Sequence, residues 1–257
     1  MPLAGVLGHP VAHSRSPAMH NAAFRELGLD WHYVKLPVPP ELFEETVRAL
    51  PASGYGGANV TIPHKAHALS LADFASDAAV SIGAANTLTF SSEGIGADNT
   101  DAAGFLGALD EPVQGKRALV LGAGGAARAV VWALVEAGAA EVSVWNRTHE
   151  RAEELAAAFG ARAVREPESA DIVVNATSVG LHEGTLPLDG LDTPQVAVEL
   201  VYGSETPFTA WAEQRGTRLV DGLEVLVRQG ALSFTRWTGV EPPLGTMRRA
   251  ARGEILP

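Results

Sequence analysis

One short run narrows the fold of this 257-residue chain more than any other: Ala118-Leu119-Val120-Leu121-Gly122-Ala123-Gly124-Gly125-Ala126-Ala127-Arg128. An apolar strand enters G-x-G-x-x-A and passes directly into an amphipathic helix, which is the setting a dinucleotide-binding turn needs. Each small residue has a mechanical reason. Gly122 permits the tight turn, Gly124 lets the backbone approach a pyrophosphate, and Ala127 permits close packing of helix on strand. The first amides of the helix, from Gly125 and Ala126 with the Ala123 turn before them, then face the diphosphate charge. The next strand, Glu141–Trp145, distinguishes the cofactors. An NAD site usually ends this strand in Asp or Glu, about 20 residues on, to bind the ribose 2′-hydroxyl. Here the strand ends in Asn146-Arg147-Thr148. No carboxylate is present to repel a 2′-phosphate, and a guanidinium and a hydroxyl are available to bind one. The expected cofactor is therefore NADP.

Strand–helix alternation extends over nearly the whole chain. Leu3–Leu7, Trp31–Leu36, Gly57–Thr61 and Ala84–Phe90 read as strands, with Pro17–Leu27 and Glu41–Leu50 as helices. Arg117–Leu121, Glu141–Trp145, Asp171–Asn175 and Val196–Leu200 read as strands around helices at Gly125–Ala137 and Glu150–Phe159. The rhythm predicts an α/β protein with parallel sheets covered by helices on both faces. The expected division is an N-terminal α/β substrate domain over residues 1–103 and a Rossmann-type doubly wound cofactor domain over residues 104–229. A C-terminal helical stretch, about 230–257, is expected to return to the first domain. With 46% hydrophobic and 19% charged residues the chain can bury a core. Its net charge is −11, with 5 basic against 10 acidic residues before position 104, so the acidity is spread along the chain. That disfavours nucleic acid or an anionic membrane as partner. The absence of cysteine removes disulfides and thiolate chemistry. No apolar run reaches the roughly 18 residues a membrane span needs, and the N-terminus carries no basic-then-apolar signal. A cytoplasmic location is expected.

A cofactor fold does not fix a reaction. The chemistry lies in four polar clusters of the first half, each at the end of an apolar strand or in the turn after it. They are His13-Ser14-Arg15-Ser16-Pro17, Asn59-Val60-Thr61-Ile62-Pro63-His64-Lys65, Gly83-Ala84-Ala85-Asn86-Thr87 and Asn99-Thr100-Asp101. Hydroxyls, amides, one ammonium and one carboxylate suit a small polyhydroxylated acid, because amides both donate and accept. Together the clusters resemble the shikimate dehydrogenase family, whose H-S-x-S-P, N-V-T-x-P-x-K, G-A-x-N-T and N-T-D-x-x-G motifs stand at His13–Pro17, Asn59–Lys65, Gly83–Thr87 and Asn99–Gly104. The likeness continues through Gly122–Ala127, Asn146–Thr148, Asn175–Gly180 and a C-terminal Gly222…Gln229…Phe234…Trp237-Thr238-Gly239. It implies NADPH-dependent reduction of 3-dehydroshikimate to shikimate, on the way to chorismate and the aromatic amino acids. It also implies a two-domain fold with the site in the groove between domains, and a chain acting as monomer or homodimer.

The resemblance assigns roles residue by residue. Ser14 and Ser16 would give hydroxyls to the substrate carboxylate, although Ser16 before Pro17 would also suit a helix start in any fold. Asn59, Thr61, Asn86 and Asp101 would read the ring hydroxyls, with Gln229 reaching in from the C-terminal stretch and Tyr202 near the substrate. Thr177, Ser178 and Gly222 would line the cofactor. Lys65 and Asp101 are the expected catalytic pair. Hydride transfer needs a proton to move on the reacting oxygen, and an ammonium can polarise a carbonyl and then supply that proton. Lys65 is one of only three lysines against sixteen arginines. One segment departs from the family pattern: Glu199-Leu200-Val201-Tyr202-Gly203-Ser204-Glu205-Thr206-Pro207 lacks the usual D-x-V-Y aspartate and the internal proline and is one residue shorter. Val225 stands where the family commonly has methionine.

Six of the eight histidines precede residue 70, but their spacing matches no metal site, and His13 is expected to brace the serine turn. Two other readings compete. A quinate or quinate/shikimate dehydrogenase would often use NAD. A non-catalytic ligand sensor on the same fold would not need Lys65 and Asp101.

Overall fold

Buried β-branched runs closed by glycine turns organise the chain into two six-stranded sheets, which belong to two separate units. The computed structural model describes residues 1–180 and 184–255. One unit comprises Met1–Thr100 with Leu226–Pro257, and the other Asp101–Val225. Asp101 therefore groups with the cofactor-turn unit and Gln229 with the N-terminal unit.

The first unit holds β1 (Leu3–Gly8), α1 (Ser16–Glu26), β2 (His32–Pro37), α2 (Phe43–Ala49), β3 (Tyr55–Val60), α3 (Lys65–Ser70), β4 (Phe74–Ala75), α4 (Asp77–Ile82), β5 (Thr87–Ser91) and β6 (Gly94–Asp98). Its sheet runs β2-β1-β3-β5-β6-β4. The expectation of parallel strands fails in its centre: β5 is antiparallel to both β3 and β6. The strand expected over Ala84–Phe90 starts only at Thr87, because Ala84–Asn86 form the turn that reverses the chain. That reversal matters for function. The register sets Asn59 beside Thr87 and Thr87 beside Asp98. The end of β3, the start of β5 and the end of β6 thus meet at one end of the sheet, each carrying a polar cluster.

The second unit holds α5 (Asp101–Leu109), β7 (Arg117–Leu121), α6 (Gly125–Glu136), β8 (Glu141–Trp145), α7 (His149–Phe159), β9 (Arg162–Val164), β10 (Ile172–Asn175), β11 (Val196–Glu199), α8 (Pro207–Gln214) and β12 (Arg218–Val220). Every pairing in its sheet is parallel, in the order β12-β11-β10-β7-β8-β9. This is the doubly wound Rossmann order, with its switch point between β7 and β10, where such sheets bind ligands. Leu119, Leu121, Val173, Ala197 and Phe208 form part of its core. Helix α9 (Gly222–Thr238) carries the chain back to the first unit and is followed by α10 (Leu244–Arg252). There the Trp237 indole donates to the Leu88 carbonyl at 3.0 Å. No helix among the described residues is long and apolar enough to cross a membrane.

The first unit's core contains one unusual member. His20 is fully buried on α1 and stacks on Tyr33, ring centroids 4.4 Å apart. Neither of its ring nitrogens meets a partner among the described residues. Burial disfavours the imidazolium and holds the pKa near 3, against an ordinary 6.5. The unfolded chain takes a proton here as pH falls through 6.5, while the folded chain stays neutral to about 3. The associated stability is complete above the unfolded value and lost progressively below it, at about 1.4 kcal/mol per pH unit. Wild-type protein should therefore lose about 2 kcal/mol between neutrality and about pH 5 that His20→Leu does not lose. Urea midpoints at the two pH values measure the difference, and equal slopes for both proteins would remove His20 as the cause.

Candidate active site

The substrate-side residues are ordered by a buried hydrogen-bond lattice. Asn59, at the end of β3, accepts from the Tyr33 hydroxyl at 2.8 Å. Its amide donates to the Asn86 carbonyl at 3.1 Å and to the Ser233 hydroxyl at 2.9 Å. Asn86 donates to Thr100 Oγ1 at 2.9 Å and to Gln229 Oε1 at 3.1 Å. Its own oxygen accepts from the Thr100 amide at 2.8 Å. Ser233, one helical turn beyond Gln229, reaches Thr87 Oγ1 at 2.8 Å. Asn59, Asn86, Gln229, Thr87, Thr100 and Ser233 are all buried. A lattice this closed fixes the orientation of each amide, which is what reading a ring of hydroxyls requires. Asn59 and Asn86 each have both amide hydrogens and the oxygen engaged within the protein, so both belong to the lattice as well as to the expected substrate-reading set.

Lys65 opens α3 and is half-buried. Its carbonyl accepts from the Ala85 amide at 2.9 Å, which ties it to the turn bearing Asn86. The preceding residue, His64, is buried and stacks on Phe43 at 4.2 Å. Its Nε2 lies 2.7 Å from the Val38 carbonyl, an acceptor, so this nitrogen carries the proton. Burial lowers the His64 pKa, the Val38 bond opposes the shift, and the nearby His67 and His9 charges reinforce it. A neutral, pinned ring thus anchors the start of α3. Thr61 takes part in the same turn, its amide bonded to the Leu7 carbonyl at 2.9 Å and its carbonyl accepting from His64 at 3.0 Å. Ser14 and Ser16 are both buried, and the Ser16 amide donates to Ser14 Oγ at 3.2 Å. The expected bracing by His13 is not found: His13 is exposed, and the serine turn closes on itself. Asp101 is half-buried and begins α5, directly after Thr100.

On the second sheet the glycine turn sits at the switch point. Gly122 has φ +112°, and a Cβ there would lie 2.8 Å from the Ala176 carbonyl oxygen. Only glycine lets the turns after β7 and β10 approach so closely. At Gly124, by contrast, a Cβ would meet nothing within 4 Å. Gly124 is the N-cap of α6 and no side chain caps the helix. The first amides of Gly125 and Ala126 therefore point into open space beside Ala123, as a cradle for a diphosphate requires. Asn146 closes its turn on the Thr148 carbonyl at 2.8 Å and leaves Arg147 and Thr148 exposed. Thr148 is the N-cap of α7, yet its hydroxyl makes no cap bond. Thr177 donates from amide and hydroxyl to Asn175 Oδ1 at 3.1 and 2.7 Å, with Ser178 exposed beyond it. These residues fit an NADP molecule: an open anion cradle, and a cation with a free-standing hydroxyl where a 2′-phosphate would lie. Gly222 and Tyr202 flank the β11 end of this unit, Gly222 at the start of α9. Among the described residues no three His, Asp or Glu side chains gather as a metal ion would need.

Sequence reasoning missed Tyr33 and Ser233, and it gave His64 and Glu199 no role although both stand in the quoted segments. Thr87 and Thr100 lay inside the quoted motifs without a role. Ser233 gave no local signal, because its partners Asn59 and Thr87 lie far away in sequence.

Residues 6–88 match the family described as shikimate dehydrogenase substrate binding domain, and residues 108–180 match shikimate / quinate 5-dehydrogenase. Residues 222–252 match the shikimate 5'-dehydrogenase C-terminal domain. The shikimate dehydrogenase (NADP(+)) of Paracoccus denitrificans is 48% identical over 97% of this chain and 95% of that protein. The enzyme of the same name from Anaeromyxobacter dehalogenans is 49% identical over 96% and 95%. Among solved structures, shikimate 5-dehydrogenase from Thermus thermophilus, in complex with NADP(H) and shikimate, superposes with a TM-score of 0.92 at 44% identity. That likeness covers 99% of this chain and 100% of the other.

Proposed function

This chain belongs to the shikimate dehydrogenase family, and we propose that it catalyses the reversible, NADPH-dependent reduction of 3-dehydroshikimate to shikimate. The observation that carries this reading is the likeness, over nearly the whole chain, to a structure holding both NADP(H) and shikimate. The reaction is a step toward chorismate and the aromatic amino acids.

When bound, NADPH supplies the hydride that reaches the carbonyl carbon. The chain must then manage the oxygen and the ring. The Lys65 ammonium polarises the carbonyl and transfers a proton to its oxygen as the alcohol forms; in the reverse direction the amine accepts that proton. The Asp101 carboxylate takes a hydrogen bond from a neighbouring hydroxyl and holds the ammonium in line. Ser14 and Ser16 hold the substrate carboxylate. Asn59, Thr61, Asn86 and Gln229 read the hydroxyls within the lattice that Ser233 braces, and Tyr202 completes the substrate set. Gly122 through Ala126, Thr177, Ser178 and Gly222 hold the cofactor. A cytoplasmic location suits a phosphorylated cofactor that does not cross a bilayer, and the chain acts as a monomer or homodimer.

Asn146, Arg147 and Thr148 select the 2′-phosphate. Loss of a hydrogen bond to a charged group costs about 1.5–3 kcal/mol, so Arg147→Ala should raise the KM for NADPH roughly 10- to 100-fold. The KM for NADH, which has no 2′-phosphate, should stay where it is. Parallel steady-state titrations of the two cofactors measure this, and equal effects on both would remove Arg147 from the selecting role. The activity itself is tested by incubating the chain with 3-dehydroshikimate and NADPH and identifying the product by NMR. One shikimate is expected per NADPH consumed; consumption without shikimate, or none at all, overturns the reading.

A further inference from the structure

The segment that departs from the family pattern contains a fully buried carboxylate held by several donors. Glu199, the last residue of β11, is 1% exposed. Its oxygens accept from Asn175 Nδ2 at 3.0 and 2.9 Å, from the Thr206 hydroxyl at 2.6 Å and from the Val201 amide at 2.9 Å. All of these donors are neutral. Asn175 in turn accepts from the Thr177 amide and hydroxyl, and Thr177 Oγ1 accepts from the Val179 amide at 3.1 Å. Thr206 caps α8, accepting from the Thr209 amide at 3.1 Å. Gly222 packs against the same segment, since a Cβ there would lie 2.7 Å from the Leu200 and Val201 carbonyl oxygens. Through one side chain, the turn after β10, the turn bearing Tyr202 and the N-terminus of α8 share a single fixed arrangement.

We propose that Glu199 is a positioning residue for cofactor binding: it orients the Asn175 amide so that this residue can hold Thr177 and the turn after β10 in the shape that receives NADPH. This rests on the reading of that turn as part of the NADP site. The logic is atomic. Asn175 must present its NH2 toward β11 and its oxygen toward Thr177, and the acceptor-only partner at position 199 enforces that orientation together with the donor amide of Thr177. Burial raises the Glu199 pKa, while the bonds from Thr206, Val201 and Asn175 work against that shift.

Glu199→Gln tests the idea. A glutamine NH2 must face either Asn175 Nδ2 or the Val201 amide, donor against donor. If Asn175 flips to relieve the clash, its NH2 turns toward the Thr177 amide, and the turn loses its acceptor. The double variant Asn175→Asp with Glu199→Gln restores the pattern. The glutamine NH2 then donates to the aspartate and to Thr206, whose hydroxyl already accepts from the Thr209 amide and turns its hydrogen away. The glutamine oxygen keeps the Val201 amide, and the aspartate keeps Thr177. NADPH affinity, read by cofactor fluorescence without substrate, should weaken about tenfold or more in Glu199→Gln. It should return toward wild type in the double variant. The shikimate KM should change far less than the NADPH affinity in both, because a glutamine oxygen can keep the Val201 amide that holds the Tyr202 turn. Amide exchange of Thr177 and Val179 in cofactor-free protein should quicken in the single variant and slow again in the double. Wild-type NADPH affinity in Glu199→Gln overturns the proposal, as does a double variant that fails to fold or binds no better than the single. Wild-type protein that binds no NADPH would instead sink the cofactor reading beneath it.

Discussion

Lys65→Ala is expected to cut turnover by ~10²–10⁴, the usual cost of losing a general acid, while the shikimate KM barely moves. The proton delivered to the oxygen has one source in this scheme, and water cannot replace it at a fixed distance and angle. The substrate's carboxylate and hydroxyls are held elsewhere, by Ser14, Ser16, Thr61, Asn86 and Gln229, so ground-state binding survives. The fold should survive too. Lys65 anchors the Asn86 turn through its backbone carbonyl, which alanine retains. Lys65→Arg should restore little, because a guanidinium keeps its charge and does not give up its proton near neutrality. A Lys65→Ala protein within a few-fold of wild-type turnover would exclude this side chain as the proton carrier.

Gly124→Ser should separate stability from cofactor affinity in opposite directions. Gly124 is the N-cap of α6 with φ −90° and ψ −173°, a conformation that serine adopts without strain. A Cβ there meets nothing within 4 Å. Serine is a better N-cap than glycine by a few tenths of a kcal/mol, since its hydroxyl accepts from the N2 or N3 amide. The N2 amide, from Ala126, is one that the diphosphate requires. Thermal stability should hold or rise slightly, whereas NADPH affinity should fall roughly 10- to 100-fold as charged hydrogen bonds are taken over and space is filled. Calorimetry and cofactor titration on one sample read both. Unchanged NADPH affinity in a stable Gly124→Ser protein would place the diphosphate elsewhere.

The second unit was the more legible in sequence. Its strands are buried on both faces and read as continuous Val/Leu/Ile runs, and glycine ends the key turns. Arg117–Leu121 and Glu141–Trp145 were placed to the residue. The first unit was harder for a physical reason. Gly94–Asp98 is short and glycine-containing, so it gives little strand signal, and the apolar Ala84–Ala85 pair extends β5 falsely into its preceding turn. Without β6, the antiparallel hairpin that gathers Asn59, Asn86 and Asp101's neighbour Thr100 at one end of the sheet could not be foreseen. The motif residues were legible because a family resemblance marks them. Their division of labour was not. Asn59 reads as a ligand-binding amide in any linear motif, and only the distant Tyr33 and Ser233 show that it is also tied into a buried lattice. Glu199 stood out as a departure from pattern, but its partners Asn175 and Thr206 become visible only once β10 and β11 lie side by side.

NADP-linked oxidation of shikimate is tested most directly by initial rates of cofactor reduction with shikimate or quinate, each paired with NADP or NAD. Shikimate with NADP should give the highest kcat/KM of the four pairs, with NAD weaker for want of the 2′-phosphate. A preference for quinate with NAD, or no reduced cofactor in any pair, would contradict it.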